Sequence, residues 1–378
     1  MKIAFDLRRI GNPGIGRYMS CLVKEVLRRE LHHEYILLLP ADRTDNIGLE
    51  YPNVTRLTPK AGYYSIREQF ELPDILQKHK ADLLHSPHFV LPFSRPCPAV
   101  VTIHDVIYLA CSEDLPSKMG RLYYSTMMQV SSRLASRIIT DSIFSKTEIV
   151  RYLRVDPAKV AVIYPAADLN FGQISHTDEI KSVLSEYGIE GDYILYAGIY
   201  KLRKNHAGLL RAFRQYLDFG GEGQLVIAGP MNEGEQVLMQ LARELGIIKN
   251  ICFTGFIPDS KLCALYSAAR AYPCPSLYEG IVFTVLEAMA CGAPVVCSDA
   301  ASLPEVAGDA ALYANAKDPE AFGKALYQVC SNNDLRQEMA ERGNRNLRRF
   351  RWEEAATRTL AIYSEVVGNT DMRATAFV

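Results

Sequence analysis

The chain runs to 378 residues, more than one ordinary α/β core holds and suited to two domains of roughly 150–200 residues each. Its 42 basic and 43 acidic residues leave a net charge of −1, which argues against wholesale nucleic-acid binding, while 48% hydrophobic and 22% charged residues describe a soluble globular protein. Nine cysteines without a CxxC pair read as small buried apolar residues in a reducing compartment, and with neither a signal peptide nor an apolar run of spanning length the expectation is a cytoplasmic protein.

Met1 to Leu7 opens as a short apolar strand. The loop after it carries glycines at 11, 14 and 16 and leads into a helix over about Tyr18 to Leu31. Its spacing breaks the dinucleotide fingerprint, and no acidic residue stands cleanly about twenty positions on. Two readings stay open: a helix-capping turn, or a loop whose small residues Gly14 and Gly16 let backbone N–H groups approach a substrate oxygen. The helix sets Arg17, Lys24, Arg28 and Arg29 against Glu25 and Glu30, a solvated face or one that attracts a phosphorylated or membrane-associated acceptor.

Strands over Ile36–Leu39 and Leu83–His85, with helical stretches between, make this half alternate β and α. Cys97 to His104 is the next strand. A side chain at the carboxyl end of a parallel strand points into the ligand crevice, so His104 either reaches a sugar there or is satisfied by a backbone partner. His85 and His88 flank another strand end and read as loop or core residues. Ser117 to Arg137 is helical, Ile138 to Asp141 a strand, and Ser142 or Ser145 caps the helix that follows. Val160 to Tyr164 is the last strand of this half.

The alternation restarts at Tyr193 to Gly198, followed by Lys201, Arg203, Lys204, Asn205 and His206 and a helix over Ala207–Phe219. Cations just before a helix N-terminus are unfavourable unless an anion joins them. A solvated basic loop is one reading; a diphosphate site is the other, with Arg203 gripping phosphate oxygens through two donors and Lys204 acting as a point charge. Gln224–Gly229 and Ile251–Gly255 are further strands.

The stretch Cys274 to Ser298 packs a strand end, a Glu279-Gly280 turn, a helix from Phe283 and a buried strand into one unit. A helix starting just after a strand aims unpaired amides and its positive end at the crevice, so Gly280, Ile281, Val282, Phe283 and Thr284 are candidates for binding a nucleotide phosphate. Glu287, about one turn in, can accept two hydrogen bonds from a vicinal diol, and Glu279 would face sugar hydroxyls. The bland alternative is a turn glutamate plus a solvated helix glutamate. Helices over Pro319–Asn332 and Leu335–Phe350 precede Trp352, the only tryptophan.

Taken in order, the Glu-Gly turn, the Leu-Glu-Ala-Met-Ala-Cys-Gly helix and the Pro-Val-Val strand resemble the retaining, nucleotide-sugar-dependent glycosyltransferases of family 4, and bacterial mannosyltransferases in particular. The resemblance implies the α/β fold called GT-B, two doubly wound Rossmann-like domains facing across a cleft. It divides the chain into 1–168 on the acceptor side, 169–350 on the donor side and a closing helix in 351–378 that crosses back to the first domain, Pro165 to Asp168 matching the hinge. It further implies that Gly14–Tyr18 lies near the donor phosphates and acceptor, that His104 sits against the donor sugar, that Gly198, Arg203, Lys204 and Asn205 match the phosphate-binding pattern, and that Phe253–Ile257 lies beside the base.

Two departures stand out: Ile199 replaces an arginine seen in some relatives, and Ile281-Val282 replaces Phe-Gly, so donor identity does not carry over. The implied reaction moves a hexose, mannose first, from GDP-mannose or a UDP-sugar to a hydroxyl of a glycan or lipid-linked acceptor in cell-surface polysaccharide synthesis, with peripheral membrane association at the inner face. Glu279 and His104 would position the sugar and stabilise positive charge at its ring, Glu279 as nucleophile being the alternative. No Asp-X-Asp triplet occurs, so no metal or other cofactor is required. A nucleotide-sugar epimerase or another GT-B enzyme, a nicotinamide-dependent oxidoreductase and a non-catalytic binding protein are the rivals. Oligomeric state is not encoded legibly.

Overall fold

The computed structural model describes residues 1–12, 14–43, 48–111, 117–230 and 234–375. Pro13 of the glycine-rich loop and 376–378 of the expected closing segment lie outside the described residues. The chain forms two compact units, Met1–Pro165 with Arg351–Val378, and Ala166–Phe350.

In the first unit, β1 (Lys2–Asp6), β2 (Glu34–Leu38), β3 (Val54–Leu57), β4 (Leu83–Ser86), β5 (Ala99–Thr102), β6 (Arg137–Thr140) and β7 (Val160–Val162) form one parallel sheet in the order β3-β2-β1-β4-β5-β6-β7. The crossovers carry α1 (Ile15–Arg29), α2 (Glu68–Lys78), α3 (Ile107–Ala110), α4 (Lys118–Leu134) and α5 (Ile143–Leu153). Central strands such as Ala99–Thr102 are buried along their whole length, as a parallel sheet covered on both faces requires. Ser142 caps α5, its side chain accepting from the Ser145 amide at 3.0 Å.

The second unit contains α6 (Thr177–Glu186), β8 (Tyr193–Ala197), α7 (His206–Asp218), β9 (Gln224–Ala228), α8 (Gly234–Glu244), β10 (Ile251–Gly255), α9 (Asp259–Ala268), β11 (Tyr272–Cys274), α10 (Phe283–Ala290), β12 (Val295–Ser298), α11 (Leu303–Ala307), β13 (Ala311–Ala314), α12 (Pro319–Ser331) and α13 (Asn333–Asn346). Two three-stranded parallel sheets, β10-β9-β8 and β11-β12-β13, meet where the Leu195 amide donates to the Ala271 carbonyl at 3.1 Å and the Arg270 amide to that of Tyr193 at 2.9 Å. The joined order, β10-β9-β8-β11-β12-β13, reverses direction between β8 and β11, and such a switch point is where open α/β sheets bind ligands, beyond the strands' carboxyl ends.

The final helix, α14 (Trp352–Thr375), belongs to the first unit and packs along α1. The Trp352 ring meets Tyr18 edge-on at 5.8 Å, Arg137 pairs with Glu365 at 2.8 Å, and the Tyr363 hydroxyl bonds Nδ1 of His85 on β4. Among the described residues no helix is long and apolar enough to cross a membrane.

His85 is a core residue, its second ring nitrogen bonding Thr102 Oγ1 at 2.9 Å, and burial pushes its pKa down to about 3. His206 in the second unit is likewise buried, against the rings of Tyr196 and Tyr200, with its pKa lowered to about 4, by burial and then by Lys204. Both fold as neutral imidazoles and gain a proton on unfolding below pH ~6.5, so each stabilises its unit fully above that pH and less as pH falls towards the folded value. At about 1.4 kcal/mol per pH unit, lowering the pH to 5 removes roughly 2 kcal/mol of what each of these two histidines contributes. Urea unfolding at pH 7 and pH 5 checks this, and His206→Phe should flatten the loss in the second unit alone.

Candidate functional site

In the second unit the expected site residues converge at the β8–β11 switch point. β8 delivers the chain to Gly198, which lies against Gly229: a Cβ on Gly229, whose φ is +120°, would stand 2.3 Å from the Gly198 carbonyl oxygen, so this approach of the two strand ends demands glycine. Beyond it the basic loop turns through Leu202–Lys204 and ends at Asn205, which adopts φ 57° and caps α7. Asn205 Oδ1 accepts from the Gly208 amide at 3.2 Å while Nδ2 donates to the carbonyls of Ala316 at 2.8 Å and Pro275 at 3.3 Å. With the Leu277 amide donating to the Arg203 carbonyl at 2.7 Å, the basic loop is stitched to the loop after β11.

That stitching places Lys204 Nζ 2.7 Å from Glu279 Oε1, with side-chain exposures of 16% and 4%. Sequence reasoning assigned Lys204 to phosphate and Glu279 to sugar hydroxyls; the structure makes them one ion pair, so a ligand on either residue acts on both. Arg203 is half-buried beside them. α10 starts at Phe283, as its apolar periodicity implied, and leaves its first amides without intrahelical partners. The Tyr272 hydroxyl donates to Thr284 Oγ1 at 2.6 Å, fixing the first turn to β11, while Val282 and Gly280 are buried and Ile281 half-buried. Glu287 is 1% exposed, which removes the solvated-helix alternative for it.

In the first unit, His104 follows β5, and its Nδ1 lies 2.6 Å from Asp141 Oδ2, its Nε2 3.3 Å from the Pro87 carbonyl and its ring 4.7 Å from that of Tyr18. Burial opposes charge on the ring, but the Asp141 carboxylate outweighs it and holds the pKa above the usual histidine value. Both ring nitrogens face oxygen acceptors, an arrangement only the doubly protonated ring satisfies with two donations. This qualifies the role expected of His104: an imidazolium does not stabilise positive charge at a sugar ring, and donation to a hydroxyl requires its Nε2 proton to be shared with, or taken from, the Pro87 carbonyl 3.3 Å away. Asp141 was passed over as a strand terminus. The available signal was its place at the carboxyl end of β6, the strand next to β5.

Gly14 is the N-cap of α1 with φ 74°, and a Cβ there would meet nothing within 4 Å. Gly16 differs. Its amide donates to the Asn12 carbonyl at 2.8 Å, and a Cβ would stand 2.1 Å from the Ile10 carbonyl oxygen. The loop therefore needs glycine at 16 for its own packing, and the Gly16 N–H is engaged within the loop rather than presented to a ligand.

Comparison with known proteins covers both units. The family described as glycosyl transferases group 1 matches residues 185–346, and that described as Glycosyltransferase Family 4 matches residues 13–171. The O-antigen chain mannosyltransferase B of Escherichia coli is 32% identical over 96% of this chain and 99% of its own length. Among solved structures, sucrose-phosphate synthase from Thermosynechococcus elongatus superposes with a TM-score of 0.79 at 17% identity, covering 98% of this chain and all of the other. Anabaena Alr3699/HepE in complex with UDP and glucose gives 0.75 at 19% identity over 97% of this chain and 100% of that one.

Proposed function

Since the chain belongs to the family 4 glycosyltransferases, enzymes of the GT-B fold, we propose that it transfers mannose from GDP-mannose to a hydroxyl of a growing cell-surface glycan with retention of anomeric configuration. The observation that carries this reading is the Lys204–Glu279 pair set between Arg203 and the start of α10. The relative named as an O-antigen chain mannosyltransferase, matched along its whole length, supports mannose as the sugar and a polysaccharide as the product.

In this reading the bond from C1 to the β-phosphate oxygen breaks and its electrons leave with GDP. Arg203, Lys204 and the first amides of α10 offset the charge growing on that phosphate. The acceptor oxygen bonds C1 on the face the phosphate leaves, and its proton passes to a phosphate oxygen, so no enzyme nucleophile is needed. Glu279, held by Lys204, accepts hydrogen bonds from sugar hydroxyls, Glu287 clasps the ribose diol, and His104 donates to a sugar hydroxyl. Because side chains and helix end supply the positive charge, the transfer requires no divalent cation.

Incubating the purified chain with α-configured GDP-mannose, an acceptor-glycan panel and excess chelator tests each part. GDP release with an α-linked product, undiminished by the chelator, is expected. A β-linked product would remove retention, loss of turnover on chelation would remove metal independence, and conversion of the nucleotide sugar without acceptor would point to an epimerase. UDP-glucose belongs in the panel because the similar fold of HepE is described with UDP and glucose, and preference for it over GDP-mannose would reassign the donor.

A further inference from the structure

A second concave site lies wholly within the first unit, at the carboxyl ends of β1, β2 and β3. Its volume is about 410 Å³, and its lining includes Arg8, Arg9, Asn12, Lys60, Tyr63 and Tyr64 but no carboxylate. The two arginines differ. Arg8 is a buried strut, its Nε 2.8 Å from Asp6 Oδ1 and its Nη2 2.8 Å from Asp6 Oδ2 and 3.0 Å from Glu68 Oε2, while Nη1 donates to the Ala61 carbonyl. Two carboxylates therefore hold its charge.

Arg9 has no such partner. Its guanidinium lies over the rings of Tyr63 at 5.2 Å and Tyr64 at 5.3 Å, and Nη1 bonds the Tyr64 hydroxyl. Among the described residues no carboxylate pairs with Arg9, its Nε is buried without a hydrogen-bond partner, and the exposed Lys60 ammonium has no ion pair either. Tyr64 itself adopts a left-handed backbone with φ 62°, rare for an aromatic residue and found disproportionately at binding sites. Contacts with Phe89 at 6.0 Å and Tyr123 at 5.4 Å hold the ring, and the residue stays 42% exposed.

A guanidinium and an ammonium without carboxylate partners, beside a fixed and partly exposed tyrosine, make a site for an anion attached to a ring. We propose that this cleft binds a phosphorylated sugar at the acceptor end of the transfer, the sugar lying on Tyr64 and the phosphate taken by Arg9 and Lys60. The assignment of the ligand as an acceptor rests on the glycosyl-transfer reading; the binding of a sugar phosphate does not. The shared chemistry is the phosphate on the sugar, which a free sugar phosphate and a prenyl-linked sugar diphosphate both carry.

Ligand-observed NMR titration of the full chain, without donor, tests this with α-mannose 1-phosphate, mannosyl farnesyl diphosphate and methyl α-mannoside as probes. At least one phosphorylated probe should bind ten-fold or more tightly than methyl α-mannoside. Binding of both assigns the site to the phosphate itself, and binding of the farnesyl probe alone assigns it to a lipid-linked source. Arg9→Gln and Tyr64→Asn, the latter chosen because asparagine tolerates the left-handed backbone, should each weaken that binding at least ten-fold, and Arg9→Lys should restore part of it. The fluorescence of Trp352, the only tryptophan and packed on Tyr18 within the same unit, should stay unchanged in all three variants and so reports on their folding. Equal affinity for methyl α-mannoside and the phosphorylated probes, or phosphate binding undiminished in Arg9→Gln, would overturn the proposal. Loss of transfer with phosphate binding intact would instead count against the transfer reading.

Discussion

Lys204→Ala lowers kcat by roughly 10²–10³-fold, the scale seen when one preorganised charge is removed from a developing anion. It also destabilises the second unit, because Glu279, 4% exposed, loses the ammonium 2.7 Å away. Breaking a buried pair from one side costs about 3–5 kcal/mol, and the 16% exposure of the lysine side chain puts this case at the low end. Reduced activity alone would therefore not separate catalysis from folding. The double variant Lys204→Ala/Glu279→Gln does: it removes the orphaned charge, so the urea midpoint should recover while kcat does not. Recovery of both would make the pair structural, and full turnover in Lys204→Ala would remove it from the mechanism.

The second large effect is in the pH profile of Asp141→Asn. In the native protein the carboxylate 2.6 Å from Nδ1 keeps His104 charged above the ordinary histidine range. Without it only Asp105 and the Pro87 carbonyl oppose burial, and the His104 pKa falls. If the imidazolium is the hydrogen-bond donor, the alkaline limb of kcat/KM moves to lower pH, and each unit of displacement leaves tenfold less of the active form. Activity should be lost at alkaline pH and retained better in mild acid. The stability linkage has a sign of its own. A raised folded pKa stabilises fully below about pH 6.5 and is lost as pH rises through the folded value, so native His104 strengthens the first unit in acid, against the trend set by His85. In Asp141→Asn that contribution shrinks, and the variant should lose most stability in mild acid. Following the His104 Cε1 proton by NMR across the titration reads the pKa directly; an unmoved value would break the argument.

Much of the second unit was legible because its elements are signalled locally. Ile251–Gly255 and the start of α10 at Phe283 follow from apolar runs bounded by glycine and by a change of period, and Arg203, Lys204, Glu279 and Glu287 occupy strand-end and helix-start positions in sequence. Their mutual arrangement was not legible. Asn205 bonds across 70 and 111 residues of chain, and no local pattern announces that its amide joins Pro275 and Ala316. β3 and β13 were missed for a related reason: Val54–Leu57 and Ala311–Ala314 are short edge strands, only partly buried, with no strong apolar run. The first unit hid most of its chemistry in charge. Arg8 and Arg9 are adjacent in sequence and look equivalent; only the positions of Asp6 and Glu68 separate a neutralised strut from an available cation.

The return of α14 to the first unit bears on how the protein is made. Ala166–Phe350 is a continuous segment and can finish folding as soon as it clears the ribosome, whereas the first 165 residues, although synthesised earlier, wait for the last stretch of chain to supply Trp352 and Tyr363. Until then the hydroxyl partner of His85 is missing, so the unit translated first matures last. A chain released after Phe350 would carry a complete second unit and an N-terminal half still open to chaperones and proteases.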